Sequence, residues 1–142
     1  MDFKQKLKQG ALPELLGYRL RLAQQAAFRD FAASVQGLSP GRVGLLILID
    51  ANPGVTQSRL AEAASRDRST MVGVLDQLEA RGLIERRRGQ DRRTNGLWLT
   101  RAGRTLRARA LRGVARHERR IASKLSAAER RQLLELLGRI TG

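Results

Sequence analysis

The residues in this chain with chemistry to offer are arginines and small hydroxyls. Arg66 and Arg68 flank a tight turn, and Ser69 and Thr70 follow at once. Farther on, Arg86, Arg87 and Arg88 run together, with Arg92 and Arg93 soon after. Such guanidinium clusters suit phosphate oxygens, and Arg66 and Arg68 are equally candidates for the acceptor edge of guanine. Ser69 and Thr70 fall in the first turn of an expected helix. From there their hydroxyls can reach base edges or phosphates, and a helix N-terminus favours an anion. Gln57 and Ser58 open the preceding helix and are candidates for backbone phosphate. Lys+Arg 28 against Asp+Glu 13 leaves a net charge of +15, which points to a polyanionic partner.

Catalysis finds little to work with. No nucleophile sits beside a base, and no glycine loop is built to cradle a phosphate; Gly10, Gly17, Gly37, Gly41 and Gly44 are scattered. The chain has no cysteine, which excludes disulfides and thiol redox chemistry. Its single histidine, His117, has no ligand cluster around it, so no metal and no cofactor is expected. His117 itself reads as solvated or at the edge of the core. The start, MDFKQKLKQG, is charged with no apolar stretch behind it, and the longest apolar run, Leu45 to Ile49, is far too short to span a bilayer. These features predict a cytoplasmic protein that is not an enzyme and has no membrane partner.

The elements that must position the arginines are mostly helices. At 142 residues the chain makes one compact domain or two small lobes. Residues 1–11 read as a loosely docked lead. A long helix is expected from Pro13 to Val35, with Leu16, Leu20, Ala23, Ala27 and Phe31 on one stripe, widened by Leu15, Tyr18, Leu22 and Ala26. A surface that broad meets more than one neighbour, part within the chain and part on a second copy. Ser39-Pro40 starts a helix to Ala51 that is apolar nearly all round and therefore central to the core. Asn52-Pro53-Gly54 stops it.

Thr56 caps the next helix, which carries Leu60, Ala61 and Ala64 inward. After the Ser65-Arg66 turn, Asp67 caps another, with Met71, Leu75 and Leu78 at helical spacing and Gly82 as its terminator. Two short helices joined by a tight turn form a helix-turn-helix, whose second helix can enter a DNA major groove. A hairpin follows: Leu83 to Arg88 outward, a loop from Gly89 to Gly96 with its tip near Gln90 to Arg93, and Leu97 to Leu99 back, Leu97 and Leu99 facing one way and Trp98 the other. Thr100 caps a helix over 101–124 with Leu106, Ala110, Val114, Ile121 and Leu125 on its apolar side, and most of its arginines read as a solvated face. Ser126 to Glu129 is a capping box, and the last helix exposes Leu133, Leu134, Leu136, Leu137 and Ile140 to whatever covers it, naturally a partner subunit.

In order and spacing, these stretches resemble the MarR family of bacterial winged-helix regulators. The resemblance rests on Thr56-Gln57-Ser58-Arg59-Leu60-Ala61-Glu62, Asp67-Arg68-Ser69-Thr70, Leu78 to Arg86, Asp91-Arg92-Arg93, and Leu99-Thr100 followed by Ala102-Gly103. It covers nearly the whole chain. It implies a mainly α fold with a small β-hairpin wing: a winged helix-turn-helix domain over residues 39–100 and a helical dimerisation lobe from residues 1–38 and 101–142. It also implies a homodimer on an approximately palindromic operator, with a recognition helix in each major groove and a wing over the adjacent minor groove. Arg93 matches the family's minor-groove arginine and Asp91 the carboxylate that orients it, while Arg86, Arg87, Arg88 and Arg92 add phosphate contacts. Three positions depart from the pattern. Val72 and Gly73 stand where relatives carry polar or basic residues; Val72 can touch a thymine methyl, and Gly73 suggests close approach to DNA or to a neighbouring helix. Arg59 stands where an acidic residue is common, so a capping box is lost.

Members of the family often bind a small anionic aromatic compound between the two lobes, which releases the operator. Tyr18, Leu22 and Phe28 on the first helix, and Arg42, Leu45, Leu46 and Ile49 on the second, are the corresponding candidates; for each apolar one the alternative is plain core packing. Leu16 to Gln24, with Ser69 to Val72, is similar to a branch that senses aromatic-acid catabolites, including hydroxycinnamoyl-coenzyme A thioesters. There an apolar slot would hold the ring, and Arg19, Arg21 or Arg42 would meet phosphates. The function implied is a ligand-relieved repressor. The competing class, which the net charge also permits, is a nonspecific DNA-coating protein, and the specificity ratio at fixed salt separates the two.

Overall fold

The computed structural model describes residues 7–64, 68–88 and 95–142, with the backbone alone for Arg68. The Ser65-Arg66 turn, the cap at Asp67 and the wing tip with Asp91, Arg92 and Arg93 lie outside the described residues. A short 3-10 turn, Leu12–Glu14, precedes α1 (Leu16–Ser34), α2 (Pro40–Ala51), β1 (Val55–Thr56), α3 (Gln57–Ala63) and α4 (Arg68–Ala80). Then come β2 (Ile84–Arg88), β3 (Asn95–Leu99), α5 (Arg101–Ile121) and α6 (Ala127–Thr141). Among the described residues no helix is long and apolar enough to cross a membrane.

Local chemistry sets most of the boundaries. Ser39, Thr56 and Thr100 each accept a hydrogen bond from the backbone N–H three residues on, and Ser126 and Glu129 close a reciprocal capping box. The first helix starts later than its pattern suggests. Pro13 lies in the 3-10 turn, which the Leu15 N–H closes on Leu12 O, and an extended Leu15 separates that turn from α1. The strand β1 was not anticipated; two residues are too few to show a period. It forms because Gly54, at φ +84°, turns the chain so that its N–H reaches Leu97 O at 2.8 Å, a conformation that side-chain-bearing residues resist. The sheet therefore has three antiparallel strands in the order β1-β3-β2, with Val55 opposite Leu97 and Ile84 opposite Leu99.

The core forms around α2. Leu45, Leu46 and Ile49 are sealed against Leu60, Met71, Leu75, Leu78, Ile84 and Leu97. The helix α5 lies close to its neighbours through glycines: a Cβ at Gly113 would stand 2.5 Å from Ser34 O, and one at Gly103 would stand 2.0 Å from Leu83 O. Within the protomer, Phe31 is the only buried residue of α1, and α6 buries none. Leu16, Leu22 and Phe28 of α1 stay exposed, as do Leu133, Leu134, Leu136 and Ile140 of α6. Ile121 and Leu125, expected on the inward side of the α5 region, are exposed as well. His117, one turn before Ile121, is by contrast 6% exposed and sits at the core edge.

His117 joins α5 to α1. Its Nδ1 lies 2.7 Å from Asp30 Oδ2, and its ring meets Phe31 edge-on at 5.3 Å. Arg120 Nε donates to the other carboxylate oxygen at 2.8 Å. Hydrogen bonds from Arg120 and then from His117 lower the Asp30 pKa from 3.8 to about 2. A carboxyl that is more acidic folded than unfolded contributes stability that is fully present above about pH 4 and is lost as pH falls through about 2. Asp30→Asn is expected to lower the melting temperature at pH 7 by a few degrees, with the gap from wild type closing between pH 4 and pH 2. Equal melting at pH 7 would contradict the pairing.

Candidate nucleic-acid interface

The recognition helix is rooted on one side and bare on the other. Met71, Leu75 and Leu78, at 0% exposure, anchor α4 in the core. That rotation turns Ser69, Thr70, Val72 and Gly73 to the surface. Val72 is 40% exposed, so an apolar side chain stands among Ser69, Thr70 and Gly73 at the N-terminal end of that face, with Asp76, Gln77 and Glu79 farther along it. A Cβ added at Gly73 would meet nothing within 4 Å. Close packing on a neighbouring helix of the same chain is therefore not the reason for the glycine. Arg66, and the side chain of Arg68, lie outside the described residues.

Gln57 and Ser58 open α3 beside the wing. Together with Thr56, Arg86, Asn95 and Leu97 they line a hollow of about 230 Å³. Gln57 is half-buried and Ser58 exposed.

Arg86 departs from its expected role. Its guanidinium bridges Asp76 at 2.9 Å and Glu79 at 3.2 Å, both on α4. A group held by two carboxylates ties the wing strand to the recognition helix and is poorly placed to serve as a phosphate contact. Asp76 and Glu79 were not singled out in the sequence, although their i, i+3 spacing on α4 puts them on one helix face. Arg87 pairs with Glu85 and lies over the Trp98 ring at 5.2 Å. Arg88 is exposed, at the end of the described part of the strand.

The residues expected to hold an effector divide in two. Leu45, Leu46 and Ile49 are 1%, 0% and 0% exposed, so they pack the core and line no open slot in the protomer. The apolar run that suggested a slot is instead the surface on which every neighbouring element packs. Tyr18 is half-buried under Arg21, and Leu22 and Phe28 stand exposed on α1. Arg19 Nε donates to Pro13 O at 2.9 Å. Arg42 donates to Gln77 of α4, and with Arg81, Leu38 and Ser39 it lines a hollow of about 470 Å³. A further link that the sequence did not suggest is Arg107 of α5 with Asp50 of α2, at 3.2 Å.

If Arg86 acts by holding the wing, removing its partners must hurt as removing it does. Arg86→Ala and the double change Asp76→Ala/Glu79→Ala are both expected to weaken duplex binding several-fold in a fluorescence-anisotropy titration. The double change does so although it removes two negative charges. Tighter binding by the carboxylate-free variant would instead make Arg86 a direct phosphate contact.

Comparison with known proteins bears on what this geometry serves. Residues 38–94 match the MarR family. Over 139 residues the chain is 42% identical to the putative transcriptional regulatory protein for the hcr operon of Thauera aromatica, covering 95% of this chain and 84% of that one. The fold is similar to that of the transcriptional repressor CouR bound to a 23-mer DNA duplex, with a TM-score of 0.92, 43% identity and coverage of 96% of this chain and 99% of that one. CouR bound to p-coumaroyl-CoA aligns with a TM-score of 0.88 at 42% identity, over 96% and 98% of the two chains. The likeness spans nearly the whole chain, and on that basis the chain belongs to the MarR family.

Proposed function

We propose that this chain is a homodimeric, sequence-specific transcriptional repressor whose hold on DNA is relieved by an aromatic acyl-coenzyme A thioester, of which a hydroxycinnamoyl-CoA is the type. One observation carries the reading: the end-to-end likeness to CouR, a repressor solved both on duplex DNA and with p-coumaroyl-CoA. Such a protein works by binding alone, in the cytoplasm with the chromosome, and needs no catalytic group.

Residues 39–100 form the reading head. Its α4 enters the major groove, where Ser69 and Thr70 address bases or phosphates, Val72 meets a thymine methyl, and Gly73 lets the helix settle close. Arg66 and Arg68 add guanine or phosphate contacts, and Gln57 and Ser58 hold the backbone from α3. The wing lays Arg93 in the minor groove, oriented by Asp91, with Arg92 and Arg88 on phosphates. Residues 1–38 and 101–142 form the dimer lobe, in which the exposed apolar face of α6 and Leu16 of α1 find their cover on the second copy.

The effector enters from the α1 side. Tyr18, Leu22 and Phe28 receive the ring, and Arg19 or Arg42 meets the anionic part. Leu45, Leu46 and Ile49 act from beneath, as the packed layer that α2 presents to the rest of the head. The Arg42–Gln77 and Arg107–Asp50 links then couple a shift of α2 to the recognition helix and to α5. Release follows if the two recognition helices lose the spacing of their half-sites.

The second reading, a DNA-coating protein, is favoured by the net charge of +15. Titration against a duplex selected by the protein itself from random-sequence DNA, and against a mixed-sequence duplex at the same salt, separates the two. A repressor should prefer the selected duplex by about 10³-fold or more, and a ratio near one would establish coating. Arg93→Ala should cost the selected duplex about tenfold or more and leave the dimer mass unchanged; unaltered affinity would remove the wing assignment. Calorimetric titration with aromatic acids and with their CoA thioesters should give heat with a thioester, and silence with every thioester would remove the effector.

A further inference from the structure

The arginines of α5 sort into two sets. Arg104, Arg107 and Arg120 are engaged inside the protomer, on Leu99 O, Asp50 and Asp30 respectively. Arg101, Arg109, Arg112, Arg116 and Arg119 are all exposed, and none has a carboxylate partner among the described residues. At 3.6 residues per turn these five fall within about 80° of arc, in a stripe roughly 27 Å long. The carboxylate on the same helix, Glu118, lies off the stripe and is paired with Arg130 at 2.8 Å. Two hollows flank the stripe. One of about 300 Å³ is bordered by Arg109, Arg116 and Ser34, and one of about 620 Å³ by Arg101, Arg109 and Leu83. No acidic residue lines either.

Such a stripe works against its own helix. Arg109–Arg112 and Arg116–Arg119 are like charges at i, i+3, and Arg112–Arg116 at i, i+4, and each pair repels. An anion lying along the stripe removes that repulsion. The stripe also stays free in a dimer joined through the apolar faces, because Ile121, the exposed apolar residue of α5, is more than about 100° round the helix from it. At its N-terminal end it joins the root of the wing: Arg101 follows Thr100 directly after β3, whose Leu99 pairs with Ile84, while Arg87 and Arg88 stand at the far end of the hairpin opposite Gly96 and Asn95.

We infer that the α5 stripe is a second, sequence-independent surface for duplex DNA, engaging the phosphates that flank the site read by the helix-turn-helix. Its occupant is the continuation of the same duplex. Charge complementarity draws that duplex onto the stripe, which the root of the wing joins to the reading head. The inference rests on the repressor reading for where the first contact lies, but it makes its own demand: affinity must depend on how far the DNA extends.

The test uses the full-length dimer, wild type and a charge-neutral variant, Arg109→Gln/Arg112→Gln/Arg116→Gln. The probes are a selected duplex trimmed to its recognised site, the same duplex extended by about two helical turns on each side, and a mixed-sequence duplex of the longer length. Wild type is expected to bind the extended duplex about tenfold or more tightly than the trimmed one at low salt. Its log–log salt slope should steepen by roughly 0.9 for each added phosphate. The Gln variant should bind both selected duplexes alike, at the wild-type affinity for the trimmed one, with unchanged dimer mass and melting. Arg109→Lys/Arg112→Lys/Arg116→Lys, which keeps the charge, should restore the length preference. Indifference of wild type to length, or a preference that survives in the Gln variant, would overturn the inference. So would tighter binding of duplex RNA or of anionic phosphatidylserine vesicles than of extended DNA. If wild type fails to distinguish selected from mixed sequence, the repressor reading falls. The stripe is still tested in that case, by the loss of affinity of the Gln variant for the long mixed-sequence duplex.

Discussion

Everything in this protomer that faces outward is decided by the burial of α2. A helix apolar nearly all round must be covered on every side, and Leu45, Leu46 and Ile49 draw in α3, α4, β3 and α5 to do it. Once Met71, Leu75 and Leu78 are committed to that core, the rotation of α4 is fixed. Its other face, with Ser69, Thr70, Val72 and Gly73, is then the only face it can offer a duplex. Truncating any one of the fully buried leucines would cost about 2–5 kcal/mol and loosen the reading head as a whole. The residues proposed to read DNA owe their positions to the buried Met71, Leu75 and Leu78.

Arginine does two jobs here, and its neighbours decide which. Where a carboxylate is within reach, the guanidinium becomes a strut: Arg86 between wing and recognition helix, Arg107 between α5 and α2, Arg120 between α5 and α1. Arg42 does the same for α2 and α4 through the neutral side chain of Gln77. These struts are half-exposed ion pairs and hydrogen bonds of modest individual strength, so they set orientation more than stability. In the proposed mechanism the links from α1 to α5, from α5 to α2 and from α2 to α4 are the route by which a molecule lodged near α1 is felt at the recognition helix.

Much of this was legible from the sequence because it is local. Capping by Ser39, Thr56, Thr100 and Ser126 depends on a side chain and a backbone N–H three residues away, and the helical period of Met71, Leu75 and Leu78 needs no tertiary knowledge. What depends on distant partners was not legible. Arg86 looked like one more member of a basic run until α4 placed two carboxylates beside it. Leu45, Leu46 and Ile49 were candidates for a slot because an apolar run says only that something covers it, not whether that is a ligand or a helix. His117 was placed no more finely than solvated or core-edge, since its partner Asp30 lies on another helix. The two-residue strand β1 follows from a turn at Gly54 and from β3, and it carries no pattern of its own.

The outer helices complete the picture only in pairs. The helix α6 leaves Leu133, Leu134, Leu136 and Ile140 uncovered, and Leu16 of α1 is likewise exposed. In the proposed dimer a second copy covers these faces and sets two recognition helices at a fixed distance. Hydroxyl-radical footprinting of the protein on DNA it has selected tests that arrangement most directly. A dimer of this kind gives two protected patches of equal strength on one face of the duplex, centred about 10–10.5 base pairs or a multiple of that apart. A single isolated patch, or an unphased protection that spreads as protein is added, would contradict it.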